Sequence, residues 1–338
     1  MLIDQSTTSK VPIFNESEKE TLSLVIAPFM EKIVYQLVII ALGFYLARTV
    51  NRLDDRSLSA VCLFIFLSFT LFLQALGQNL RDAQFTFLFF FYVFHTAILY
   101  FPISGILKAI GFSTQTRHLF LLCMILSGQS YLRYLTPQIG APAEALQTVN
   151  LLIFYQLALA AIFGIYLCLR KEKILLNFIE LLKIPLLYAA AAGLLLAGFS
   201  DSLTYDFLNA INSLHNVSDP LILLIFGVII GKYIFFFETK EYTGMFPGVF
   251  LCVFFKLIIS PALALLIVEL MGIDQLDLQR GLILSAGVPT GVIAAVLVSF
   301  YGQPQDRRFV VLCVLFTVLL SFATMPGLLW IVNRLFPL

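Results

Sequence analysis

Apolar runs long enough to cross a membrane recur along this sequence, and they restrict the fold more than any other feature. A spanning helix needs about 20 mostly apolar residues. Cutting the chain at charged and Gly/Pro-rich punctuation leaves ten such runs, near 31–48, 58–77, 83–107, 119–139, 145–169, 183–199, 216–236, 247–271, 279–301 and 308–333. Lipid offers no hydrogen bonds, so runs of this kind cross as helices whose backbone groups pair within the segment. The chain is 60% hydrophobic and only 12% charged, against about 25% charge in soluble domains. No soluble core could hide this much apolar surface. The sequence predicts an all-α polytopic membrane protein.

Cationic residues orient the runs, because cytoplasmic loops are enriched in Lys and Arg. Arg48, Arg52 and Arg56 follow the first run, Lys108 and Arg117 the third, and Arg170, Lys171, Lys173 and Lys183 the fifth; Lys232 and Lys240 follow the seventh, and Arg307 and Arg308 the ninth. The alternate loops hold only Arg81 and Arg280. Both termini are therefore expected outside the cytoplasm, in a plasma or inner membrane. The formal net charge is +1, so no global field recruits nucleic acid.

Other classes find little support. The five cysteines lie in apolar stretches without metal-ligand spacing and read as free packed thiols. There is no HExxH, GxSxG or P-loop pattern, and neither a charge ring nor a filter-like carbonyl loop that would mark a channel. No catalytic residue, metal or cofactor is expected. The start lacks the basic and apolar regions of a signal peptide. Ser17 to Glu20 reads as a capping box before a short interfacial helix or a frayed tail, so 1–30 is set apart as an N-terminal segment.

Ten runs with a basic loop at the midpoint (RKEK, 170–173) divide into two halves of five, 31–170 and 171–338. An odd number per half forces opposite orientations, which is an inverted repeat. MILSGQS at 124–130 and LILSAGVP at 282–289 place a Leu-Ser step and a Gly at matching positions. In carriers built on inverted repeats, interrupted helices at equivalent positions mark the substrate site. Gly287, Pro289 and Gly291 loosen the ninth run, with a packed proline kink as the plainer reading. Ser127, Gly128, Gln129 and Ser130 are its counterpart in the fourth, with a small-residue helix contact as the plainer reading.

Ionisable residues inside spans cost about 2.5–3.5 kcal/mol on insertion scales and are functional candidates by default. Lys256 stands nine residues into the eighth run, about 14 Å deep at the helical rise. It either faces a polar cavity or meets bared carbonyls. Arg133, one turn beyond Ser130, either anchors an anion or reaches the interface. His95, in a Phe-rich run, reads first as a packing histidine. Asp219-Pro220 reads as a helix N-cap followed by proline at the first position.

Several stretches resemble the auxin efflux carrier family, which includes bacterial permeases and the PIN-formed carriers. They are LLKIPLLYAAAAGLLLAG (181–198), SDPLILLIFGVIIGK (218–232), FFKLIISPALALLI (254–267), LSAGVPTGVIAAVLVSFYG and the closing FATMPGLLWIV. GFYLARTVNRLDDRSLSAVCLFIFLSFTLFL resembles the first two helices less closely. The resemblance implies ten helices in two inverted five-helix repeats, with broken, crossing helices four and nine, a fold related to that of bile acid/sodium symporters. It places Pro289 at the crossover proline. Gln129-Ser130 stand where the family usually has Pro-Asn, which leaves its known substrates in doubt.

The expectation is therefore a secondary carrier moving a small organic anion by alternating access. Ser127, Gly128, Gln129 and Ser130 would face Gly287, Val288, Pro289 and Thr290, with Lys256 or Arg133 supplying positive charge. The expected partners are the solute, membrane lipid and, to suit the family, a second copy in a homodimer. A membrane receptor or sensor on a carrier fold is the alternative, and a membrane-embedded enzyme a weaker third.

Overall fold

The computed structural model of the protein describes residues 34–50, 53–78, 83–140, 142–169, 182–234 and 245–337. The expected N-terminal segment 1–30 and the basic run 170–173 lie outside the described residues. Contacts separate residues 1–38, described only from the first turns of the first helix, from residues 39–338. Among the described residues the protein is helical almost throughout and has no strand.

Among the described residues six helices are long and apolar enough to cross a membrane: α2 (Asp55–Leu76), α3 (Gln84–Ala109), α6 (Ala145–Cys168), α8 (Tyr205–Tyr233), α9 (Phe246–Met271) and α12 (Pro304–Leu335). Two shorter apolar helices are α1 (Val34–Thr49) and α7 (Pro185–Phe199). The fourth and ninth runs are each interrupted. The fourth becomes α4 (Thr114–Ile125) and α5 (Gln129–Tyr134), followed by a short turn Thr136–Ile139. The ninth becomes α10 (Leu276–Gly287) and α11 (Ile293–Tyr301).

The seventh run differs from its sequence reading. No helix begins at Asp219-Pro220: α8 starts after Thr204 and runs unbroken through Pro220. Proline withholds the N–H that would bond the carbonyl four residues back, which belongs to exposed Asn216. Beside the proline, α8 is tied to α2 by side-chain hydroxyls. Ser218 Oγ lies 2.7 Å from Thr70 Oγ1 and donates to the Phe66 carbonyl at 3.2 Å.

Helix packing uses small residues where backbones approach, as expected when lipid removes the hydrophobic drive between helices. A Cβ on Gly231 of α8 would lie 2.8 Å from that of Ala47 on α1, and one on Gly193 of α7 would lie 2.6 Å from that of Ala75 on α2. Either helix pair would have to separate to admit a larger residue.

One end of α2 and α8 is tied by charge. Asp54 caps α2 by accepting from the backbone of Arg56 and Ser57, which frees Asp55 to turn inward, where it is 3% exposed. Its carboxylate accepts from Lys232 Nζ on α8 at 2.9 Å, Ser299 Oγ on α11 at 2.7 Å and Arg307 Nη1 on α12 at 3.0 Å. Tyr233 accepts from the same Arg307 nitrogen and stands under its guanidinium, 5.1 Å from ring centroid to Cζ. Four helices thus converge on one buried carboxylate.

Candidate functional site

Helix α4 ends at Ile125 and leaves its last carbonyls without intrahelical partners, as every helix end does. Groups from the second half of the chain supply them. Cys123 O accepts from Thr290 Oγ1 at 2.9 Å, Met124 O from Lys256 Nζ at 3.0 Å, and Leu126 O from Gly291 N at 3.0 Å. In the other direction Gly128 N donates to Pro289 O at 2.9 Å. Ser127 and Thr290 therefore pair as an isolated antiparallel bridge, and the two interruptions meet as short extended strands.

Local sequence explains one interruption better than the other. Pro289 has no N–H to continue α10, and Val288 after Gly287 turns extended at φ −64°, ψ 150°. Between α4 and α5 only Gly128 is a helix breaker, and Leu126 turns extended at φ −84°, ψ 115° because its partners lie across the bridge.

Lys256 reaches the junction from a π-helical turn of α9, Phe255–Ile259. It is 1% exposed, and besides Met124 O its ammonium donates to Ser127 Oγ at 2.7 Å. A buried ammonium in an apolar bundle requires such partners. It sits at the C-terminal end of α4, where the helix dipole places partial negative charge, while α5 and α11 present N-terminal ends nearby. Of the two sequence readings of Lys256, the structure shows the contact with a bared carbonyl.

Supporting polar groups extend outward. Ser127 N donates to Gln156 Oε1 at 3.2 Å, Gln156 Nε2 to Tyr92 OH at 3.4 Å, and Thr290 N to Thr317 Oγ1 at 3.2 Å. Spacing could not flag Gln156, Tyr92 or Thr317, whose partners are 27 to 64 residues away; Gln156 alone carried a signal, as an amide in an apolar helix.

The named residues separate into two places. Ser127, Gly128, Val288, Pro289, Thr290 and Lys256 come together; Gly287 packs against Pro261 of α9 and Leu328 of α12. Gln129 is half-buried on the first turn of α5, and Ser130 follows it in that helix. Arg133 lies elsewhere, its Nη2 3.0 Å from His215 Nε2 on α8. The matching Leu-Ser steps do not register the two interruptions. Ser285 is inside α10, donating to Leu282 O, whereas Ser127 opposes Thr290.

Gly291 is fixed by close approach, since a Cβ there would lie 2.6 Å from Ser127 O and 3.0 Å from Ser127 C. Gly291→Ala is expected to force the bridge apart and lower stability by about 1–3 kcal/mol, the usual cost of overpacking. Thermal unfolding of the purified variant in micelles checks this; an unchanged midpoint would contradict the bridge geometry.

His95 is a packing histidine in the structure, stacked on Phe91 at 5.4 Å, with Nε2 3.3 Å from Ser260 Oγ. Arg280, counted with a loop by charge, is a fully buried residue of α10 whose guanidinium holds Gln138 O, Phe336 O and Asn333 Oδ1. Cys123, Cys252 and Cys313 gather with Sγ atoms within 4.8 Å of one another, a trio able to hold a soft metal ion and invisible to sequence spacing. All five described cysteines are free and buried, which agrees with packed thiols.

No curated protein matches the chain. The model of the membrane transport protein family matches residues 170–331, which carry α10, α11, Lys256 and the second-half stretches quoted for the auxin efflux carriers. The six described helices long and apolar enough to cross a membrane, together with this match, support an integral, multi-pass membrane protein. Over residues 170–331, just under half of its length, the chain is similar to the membrane transport protein family.

Proposed function

We propose that the protein is a secondary carrier for a small organic anion, working by alternating access around the junction of α4/α5 with α10/α11. The observation that carries this reading is the pairing of two interrupted helices at Ser127 and Thr290, with the Lys256 ammonium on the carbonyl end of α4. Helix N-termini attract anions and helix C-termini repel them. Lys256 offsets the repelling end, which leaves α5 and α11 to favour an anion on the Gln129 side.

In this reading the chain is two inverted five-helix repeats, 31–170 and 171–338, after the N-terminal segment 1–30. Pairing α4/α5 with α10/α11 and α1 with α7 suits that arrangement. The small-residue pairs α1/α8 and α2/α7 would form one body, and the helices around the junction a second that moves against it. Both termini would lie outside the cytoplasm, and the first body would offer the surface for a homodimer. Because an ammonium already occupies the bared carbonyls, no sodium ion is needed there, and movement would follow the membrane potential.

A receptor or sensor on the same fold is the second reading, favoured by the internal pairing of Lys256, Ser127 and Thr290 at the junction. Counterflow separates the two. Proteoliposomes preloaded with an unlabelled organic acid should accumulate the carbon-14-labelled acid above equilibrium for at least one member of a panel of mono-, di- and tricarboxylates. Binding without exchange for every member would favour the receptor and sink the carrier.

A further inference from the structure

At the opposite end of α2 and α8 from Asp55 there is a second polar place that the junction does not use. A cavity of about 330 Å³ is lined by Gln74 of α2, Arg133 of α5, Asn150 of α6, and Asn212 and His215 of α8, among others, and none of the described residues that line it carries a carboxylate. That volume is within the range of small-molecule sites. We propose that this cavity is a binding site for a small hydrophilic carboxylate, with the Arg133 guanidinium as its charge contact and the surrounding amides as its selectors.

Three observations point to an anion. Arg133 makes no ion pair with any described residue; one of its nitrogens faces His215 Nε2, and the rest of its fork is free to take two oxygens side by side. Gln74 is 9% exposed and lines the cavity, and its side-chain amide, which makes no hydrogen bond to a described residue, opens into it and can bond a ligand's hydroxyl or carboxylate oxygens. The backbone also holds Arg133 in place, since Thr136 Oγ1 donates to its carbonyl at 2.8 Å.

Polar lining selects among carboxylates. Leu73 and Leu146 line part of the wall, but Asn150 and Asn212 each offer both donors and acceptors, which an aromatic ring lying against them would strand. The site therefore takes a hydroxylated acid rather than a ring-bearing one. His215 Nδ1 lies 3.2 Å from Thr70 Oγ1, which in turn meets Ser218 and the Phe66 carbonyl, so ligand contact at His215 reaches the middle of α2. As a first station for the carried anion the site rests on the carrier reading; as a binding site it does not.

The test uses the purified full chain in micelles with three probes: tartrate, the uncharged threitol of the same carbon skeleton, and benzoate. Tartrate should bind saturably by calorimetry and raise the unfolding midpoint, with threitol and benzoate at least tenfold weaker. Arg133→Gln should weaken tartrate at least tenfold, and Asn212→Leu, at an exposed position that folding tolerates, several-fold. Lys108→Gln, which removes an exposed cation that does not line the cavity, should leave tartrate affinity within twofold. Failure of tartrate to bind, wild-type affinity in the Arg133 and Asn212 variants, or a parallel loss in Lys108→Gln would each overturn the proposal. Tartrate binding with no organic-acid counterflow would instead sink the carrier reading and leave the site standing.

Discussion

Asp55→Ala is expected to destabilise the protein by about 3–5 kcal/mol, the cost of stranding partners of a buried ion pair. The carboxylate is almost fully buried and is the acceptor for Lys232, Ser299 and Arg307 at 2.7–3.0 Å. Lys232 is partly exposed, with 27% of its side chain accessible, and keeps a bond to the Leu53 carbonyl, so it can recover some hydration. Arg307 is 11% accessible and would retain only Tyr233 among these partners, so it carries most of the penalty. Asp55→Asn keeps the shape but can oppose only one of the two cations with its carbonyl oxygen, and should cost less. Urea or thermal unfolding of both variants in micelles gives the order: wild type, then Asn, then Ala. Equal stability of wild type and Asp55→Ala would mean that the four helices are held at this end by packing alone.

Lys256→Met should behave in the opposite way, leaving stability nearly unchanged while removing transport. Replacing a buried charge by a hydrophobe of similar length relieves its desolvation, an effect that is often neutral or stabilising. Against this, the Met124 carbonyl loses its partner, at about 1–3 kcal/mol. The two terms nearly cancel in the folded state. They do not cancel for an anion near the junction, because the C-terminal end of α4 would then act without its counter-charge. At a tenfold change in rate for each 1.4 kcal/mol, loss of about 3 kcal/mol of attraction slows exchange roughly 100-fold.

The legible part of this fold was local. Apolar length marks the long helices because lipid demands it of every spanning segment, and Gly287-Val-Pro-Thr-Gly291 marks an interruption because proline and glycine weaken a helix anywhere. Lys256 stood out because a charge inside an apolar run is costly wherever it points. What was hidden depends on partners far along the chain. Ser127 is extended because Pro289, Gly291 and Lys256 bind the backbone around it, across more than 120 residues. Asp55 sits beside a capping aspartate and looks like part of the cap; its three partners are 177 to 252 residues away. Pro220 misled because the carbonyl it leaves without a partner belongs to exposed Asn216, so the helix continues through it at small cost. Arg133 is one turn from the junction by sequence, yet the α5 helix turns its guanidinium toward α8 and a different cavity.

The junction as the seat of transport is tested most directly by counterflow in proteoliposomes holding wild-type or Lys256→Met protein at matched, folded density. With whichever labelled carboxylate the wild type accumulates, the account predicts at least a 100-fold slower exchange in the variant and an unfolding midpoint close to wild type. Exchange at the wild-type rate would contradict it.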